Sequence, residues 1–378
     1  MRGSKLLQRS VKAGFALLIA GAFAGLLFPS SPKPLWPGSK YTEADRDRAV
    51  KRGIEVIYKI ASDPEAFDDW GHDLLWCFYS ISTTAKNPEV REMTRTMGHE
   101  LAMKWRHDNP EPPVDDAGQL ADYVFGSDAA NRLGVLDGPK IHEQIRQGVA
   151  KYKPEDFLSF DPSREPPPSD VPNTCKKCGA ENPRGTKQCL KCNNPLTFKS
   201  RYDVWLDALI TSYTGDVYGV NLGGSYDDVL KWIKVMRPYA PRGTVSASET
   251  EHITYAITHV IYTLNDYGKY RLSRSWLPQE YDFLIANVTE MMRINDPETL
   301  GEFMDTLRSL GLSEKDKLIQ YGIDYQLSHQ NADGSWGDGD PKDAYKRYHS
   351  TWTAVDGLRE YAFRGERLRR PELMTLIR

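Results

Sequence analysis

Along most of the chain apolar residues return every three or four positions, as in Val50, Ile54, Ile57 and Tyr58, or Val229, Ile233 and Met236. That period places them on one face of an α-helix. Strict alternation, the mark of a half-buried strand, is absent outside a short cysteine-containing segment near the middle. The pattern predicts an all-α body beginning near Tyr41. The polar Gly/Pro/Asp loops are short, so neighbouring helices run antiparallel. The helices also repeat weakly. RGIEVIYKI followed by DWGHDLLWCFYSI, and YGIDYQLSHQNADGSWGDGDPKDAY followed by KRYHSTWTAVDGLREYAF, each read as a helix, a polar loop and a second helix opening near a histidine. Roughly five or six such pairs, closed on themselves, put one set of helices in an inner barrel and the other in an outer ring.

Two segments depart from this rhythm. The N-terminus carries Arg2, Lys5, Arg9 and Lys12, then an apolar run over residues 13–28, then the Pro-rich spacer SSPKPLWPGSK. Basic flank, apolar run and spacer together predict a transmembrane or signal-anchor helix. Ala22-Phe23-Ala24 offers a small-x-small cleavage site, but the apolar run continues past it, which favours an anchor. Positive charge ahead of the run places the body outside the cytoplasm.

The second departure follows the break at Pro166, Pro167, Pro168 and Pro172. It reads CKKCGAENPRGTKQCLKC, with Cys175 and Cys178, then Cys189 and Cys192. Each CxxC can form a knuckle aiming two thiolates at one point, and two knuckles close a tetrahedral four-thiolate site suited to Zn2+. Two disulfides or four free thiols are the alternatives, and an exported chain tends to pair its cysteines. A closed four-thiolate site leaves no position for substrate, so this zinc ribbon stabilises rather than catalyses. The chain thus divides into residues 1–40 (anchor and spacer), 41–165 (first helical part), 166–200 (Pro-rich linker and ribbon) and 201–378 (second helical part).

Composition narrows the function little. The 378 residues are 40% hydrophobic and 27% charged with a net charge of -3, which gives no argument for a nucleic-acid partner. Nine Trp and twenty Tyr suit an aromatic-lined cavity or simply helix interfaces. Cys77, in LLWCFYS, is expected as a buried apolar residue. Phosphate-binding Gly loops, GxSxG, HExxH and the dinucleotide fingerprint are absent.

Near the C-terminus Gly322, Tyr325, Gln330, Gly334 and Trp336 fall on the spacing of the QW motif, and residues 348–358 read YHSTWTAVDGL. The first resembles the repeat of squalene–hopene and oxidosqualene cyclases; the second resembles the YHTxYxLSGL tract of protein prenyltransferase β subunits. The resemblance implies an α/α toroid and an amphiphilic or prenyl-like substrate. It also carries a zinc-ligand role over to His349. The cyclases' DxDD tract is missing, and no cysteine follows Cys192 to complete the prenyltransferase zinc set. In the motif Gln330 and Trp336 have stability roles, the Gln tying off a helix end and the Trp stacking over the following turn.

Three units place a histidine at the expected start of an inner helix: His72 in DWGHDLL, His252 in ETEHITY and His349 in KRYHSTW. Helix N-termini would favour neutral imidazole there. Asp69 and Asp73 flank His72, and Glu249 and Glu251 flank His252. A second metal, held by three histidines or by two and a carboxylate, fits this set, as does general acid–base chemistry. Capping or packing of helix ends is the alternative for each. The catalytic candidates are therefore His72, Asp73, His252 and His349, with His259, Tyr255 and Asp266 further along one helix. Asp333, Asp338, Asp340 and Asp343 in a Gly-rich loop are weak Ca2+ candidates, off the EF-hand pattern. The expected function is a membrane-anchored enzyme, with or without a cavity metal, acting on an amphiphilic or prenyl-like substrate, a lipid or a glycan, in a central cavity. An exported glycan lyase or hydrolase and a non-catalytic envelope scaffold are the alternatives.

Overall fold

The computed structural model describes residues 33–338 and 342–378. The predicted anchor at residues 13–28 and Asp340 lie outside the described residues. Among the described residues no helix is long and apolar enough to cross a membrane. Residues 34–378 form one unit, all-helical as the periodicity predicts.

The helices are α1 (Glu43–Ala61), α2 (Pro64–Thr84), α3 (Pro88–Asp108), α4 (Ala117–Arg132), α5 (Pro139–Val149), α6 (Pro154–Leu158), α7 (Arg201–Tyr218), α8 (Tyr226–Leu230), α9 (Ile233–Met236), α10 (Ala247–Leu264), α11 (Pro278–Arg293), α12 (Pro297–Ser309), α13 (Lys317–Ser328), α14 (Ala344–Leu358) and α15 (Met374–Ile377). Their starts are written locally. Asp63, Asn87 and Asp296 accept from the first-turn N–H groups of α2, α3 and α12, each with proline at the first helical position, where the missing N–H costs nothing. Thr42 and Asp45 form a reciprocal capping box on α1.

Six helices set the architecture. α2, α4, α7, α10, α12 and α14 each pack against the next, and α14 packs against α2, closing the cycle. The other long helices lie against this cycle: α1 on α14 and α2, α3 on α2 and α4, α11 on α12, and α13 on α12 and α14. Within the cycle α12 and α14 approach closely. A Cβ added at Gly301 would come within 2.2 Å of the Thr353 carbonyl oxygen, and one at Gly357 within 3.0 Å of the Gly301 Cα. Only glycine at both positions lets these two backbones touch.

The loop after α13 ties the outer layer together. The Trp336 indole N–H donates to the Gln326 carbonyl in the last turn of α13 at 2.8 Å, a helix-end acceptor that also takes the His329 N–H at 3.2 Å. The Gln330 amide donates to Ala49 of α1 at 2.9 Å and to the Gly334 carbonyl at 3.0 Å. Both residues are structural, with the helix-end task falling to the Trp rather than the Gln.

Candidate functional site

A cavity of about 400 Å3 lies inside the cycle of six helices, and each of the six contributes to its wall. The volume falls within the ~300–1,000 Å3 range of small-molecule sites. From α2 come Trp70, His72, Asp73 and Trp76; from α4, Asp122 and Phe125; from α7, Asp207 and Thr214. α10 supplies His259 and Tyr262, α12 supplies Glu302 and Asp305, and α14 supplies Tyr345, His349, Trp352 and Asp356. Asp207, His259, Tyr345 and His349 also line an outer compartment that adds Tyr255 and Glu298.

The structure brings together three of the four catalytic candidates. His72, Asp73 and His349 line the cavity, and Asp73 accepts from the Tyr348 hydroxyl at 2.8 Å. His252 is not among the lining residues. It pairs with Asp203 of α7 and meets the Ser248 hydroxyl at 2.9 Å. His259, about two turns further along α10, takes the place in the wall that the repeat assigned to His252. None of the three histidines opens its helix, because the caps Asp63, Ser246 and Asp343 start α2, α10 and α14 earlier than the repeat suggested. The expected placement of the three at helix starts therefore falls away.

The protonation of His349 is set by neighbouring acids, of which Glu298 and Glu302 were passed over in the sequence. His349 Nδ1 donates to Glu298 at 3.0 Å. Burial alone would lower the histidine's pKa, but the Glu298 bond and charge, with Glu302 and Asp73 behind them, raise it to about 9. His349 is thus a cation, contrary to the neutral form expected. Glu298 is also bonded by the Ser350 hydroxyl at 2.6 Å and the Tyr255 hydroxyl at 2.9 Å. Burial works against its charge, but His349 and these donors outweigh it and hold its pKa at about 2. His259 is pulled down to about 4, chiefly by burial.

Deeper in, burial raises Glu302 to about 7, although Thr258 donates to it at 2.7 Å. Asp305, one turn on, is raised to about 8 by burial first and by the charge of Asp356 second. Asp356 is itself raised by burial and is paired with Arg359. Glu298, Glu302 and Asp305 recur at helical spacing on α12, a helix otherwise buried almost throughout. That recurrence of carboxyls at core-facing positions was the signal in the sequence.

The cysteines form a separate centre between α6 and α7. All four Sγ atoms lie within 4.8 Å of one another, with Cys175 to Cys192 and Cys178 to Cys189 at 3.6 Å. These separations are far beyond a disulfide bond and close to the about 3.8 Å edge of a tetrahedron with Zn–S of about 2.3 Å. The two knuckles fold alike. The Cys175 N–H donates to Ala180 at 3.0 Å and the Cys189 N–H to Asn194 at 2.8 Å, while Gly179 and Asn193 turn back onto the first cysteine's carbonyl at 2.8 Å. Both turning residues have left-handed backbone, φ +66° and +58°. The cluster can hold a metal ion. Around it the backbone makes isolated bridges, Pro172 to Phe198 and Gln188 to Pro195, rather than named strands.

Among the described residues the cysteines are the one such cluster; the histidines and carboxylates of the cavity do not draw three ligand atoms that close together. In the Gly-rich loop Asp333 accepts from Ser335, and Asp343 caps α14. Asp266 bonds Tyr213 and Lys269 away from the cavity wall, and Cys77 is fully buried. No protein-family model, curated protein or solved structure matches the chain.

Proposed function

We propose that the closed cycle is an α/α toroid and that the chain is an enzyme working by general acid–base chemistry in its central cavity. One observation carries this reading: six helices from both halves of the chain converge charged and titratable side chains on a single cavity. A scaffold would gain nothing from burying Glu302 and Asp305 there, since each costs stability when it ionises. Glu302, with a pKa near neutrality, is the group that gives and takes a proton. The His349 imidazolium, held by Glu298, faces it as a fixed positive charge for negative charge that develops in the transition state. Trp70, Trp76 and Trp352 cover apolar surface, so the substrate is amphiphilic.

The cysteine cluster is, on this reading, a zinc ribbon whose role is structural. The N-terminal run over residues 13–28 anchors the chain to a membrane with the toroid on the extracytoplasmic side.

The test uses the full chain in detergent, incubated with total lipid and glycan extracts and followed by mass spectrometry. The wild type is expected to convert a component of one extract. Glu302→Gln, which mimics the protonated acid in shape, is expected to lose activity by about a hundredfold or more without unfolding. A Glu302→Gln protein as active as the wild type would remove the proposed mechanism, and conversion of nothing by the wild type would favour the scaffold.

A further inference from the structure

We propose that the cavity holds a primary ammonium group, the polar end of an amphiphilic amine, among the carboxyls of Asp73, Asp122 and Glu302. The sequence sets acidic and aromatic side chains one helical turn apart on two neighbouring helices: Trp70, Asp73 and Trp76 on α2, and Asp122 and Phe125 on α4. All five line the cavity, and the Trp76 and Phe125 ring centroids lie 5.4 Å apart, so the two helices present one continuous wall. Each of the three carboxyls has an oxygen without a donor. Asp73 accepts from Tyr348 through Oδ2 alone. Asp122 stands at the cavity edge with its side chain 64% exposed, and His72 Nε2 lies 4.0 Å from it, beyond hydrogen-bond reach. Glu302 weighs most, because it is only 2% exposed. It accepts from Thr258 through Oε2 at 2.7 Å, while its Oε1 takes no hydrogen bond from the described residues and stays open to the cavity. Buried polar groups are nearly always paired, so a carboxyl this deep with an open oxygen calls for a donor from the ligand.

Charge separates ammonium from its rivals. The cations of the wall already have acids of their own: Arg359 pairs with Asp356, and the His349 imidazolium with Glu298. Asp73, Asp122 and Glu302 are not paired with Lys or Arg among the described residues. An anion would face all three carboxyls, and a hydrocarbon would leave their open oxygens unpaired. A hydroxyl has one proton to donate, whereas a primary ammonium donates three and brings the opposite charge. A bare metal ion fits less well, since the histidines and carboxylates of the cavity do not draw three ligand atoms within 4.8 Å of one another. The indoles of Trp70 and Trp76, on either side of Asp73 along α2, offer π-faces to the cation and apolar surface to the methylenes that carry it. The inference rests on reading the cavity as an active site, and it names the polar end of the amphiphilic substrate.

The experiment titrates the full chain, in a neutral detergent at about pH 8, with hexylammonium, hexyltrimethylammonium, hexanol and hexanoate. Binding is read by tryptophan fluorescence and ligand-detected NMR. At that pH the Glu302 carboxyl, which burial raises to about 7, is largely ionised. Hexylammonium is expected to bind saturably and about tenfold or more tightly than the other three. Asp73→Asn is expected to weaken it about tenfold, with folding checked by circular dichroism. Asp122→Asn changes an exposed side chain, which costs the fold little, and should weaken it severalfold. Neither should alter the binding of hexanol. Glu111→Gln removes the same charge from an exposed pair with Lys140 off the cavity wall and should have no effect. Equal binding of hexanol, hexanoate or hexyltrimethylammonium, or hexylammonium binding indifferent to both Asn variants, would overturn the subsite. Absence of hexylammonium binding alongside loss of turnover in Glu302→Gln would remove the subsite and leave the acid–base reading standing. Hexylammonium binding alongside full turnover in Glu302→Gln would keep the subsite and reject that mechanism.

Discussion

The Tyr348 hydroxyl donates to Asp73 at 2.8 Å, joining the last helix of the cycle to the first across almost the whole described chain. Tyr348 is fully buried, and its hydroxyl stays protonated because burial and the neighbouring carboxylate both push its pKa up. Tyr348→Phe keeps the ring packing and strips Asp73 of its donor. The expected cost is about 1–3 kcal/mol of unfolding free energy, read by denaturant titration. A loss below a few tenths would mean the contact does not help close the cycle.

The His349–Glu298 pair gives stability a pH window. His349 has a folded pKa of about 9 against an ordinary 6.5, so its contribution is complete below pH 6.5 and is lost as pH rises through about 9. Glu298 is depressed from 4.5 to about 2, so its contribution is complete above pH 4.5 and is lost as pH falls toward about 2. The groups facing His349 are Glu298 and Glu302 of α12, Asp73 of α2 and His259 of α10. The stability difference between wild type and Glu298→Gln should therefore be greatest from pH 4.5 to 6.5 and should shrink above pH 9. A difference constant with pH would show that the pair is not ionised as described.

Glu302 runs the other way. Its folded pKa, about 7, lies above the ordinary 4.5, so the folded state holds the proton more tightly. Its effect is a loss of stability as pH rises from 4.5 to about 7 and a plateau above. His349 and Thr258 favour its charged form, while Glu298, Asp296 and above all burial oppose it. Glu302→Gln should flatten that part of the stability curve. In the wild type the Glu302 carboxyl carbon should titrate near neutrality by NMR; a midpoint in the ordinary carboxylate range would exclude it as the proton donor at neutral pH.

Much of this fold was legible in the sequence. The three-and-four spacing of Val50, Ile54 and Ile57 encodes a buried helical face, and all three are buried in α1. Cys175, Cys178, Cys189 and Cys192 announced their cluster by spacing alone. The cavity was harder to read. Position in a repeat gives the helix but not the depth along its axis, so His252 pairs with Asp203 of α7, and His259, seven residues on along the same face, lines the cavity. The carboxyls of α12 were missed because a buried acid and a surface acid look identical in sequence. Only the fact that Glu298, Glu302 and Asp305 share the face that packs inward distinguishes them, and that face is fixed by the Gly301–Gly357 contact between chain segments far apart in sequence.

The proposed zinc centre should behave as a local staple. Its two knuckles satisfy their own backbone groups, and the segment is fastened to the helical body at its ends. Lys199 N–H donates to the Val171 carbonyl at 2.8 Å, and Lys199 Nζ pairs with Asp207 of α7 at 2.9 Å. The purified chain is expected to hold about one zinc, set by four thiolates around one ion. Cys189→Ser should lower that content and open residues 173–195 to protease, because a site missing one thiolate binds its metal far more weakly. The helical cycle should keep most of its stability, since its core packing does not pass through the cysteines. Chelation that melts the helices together with the segment would contradict that separation. Mass mapping that finds two disulfides and metal analysis that finds no zinc would remove the centre altogether, and the 3.6 Å Sγ separations would then have to close to bonding distance by movement of both knuckles.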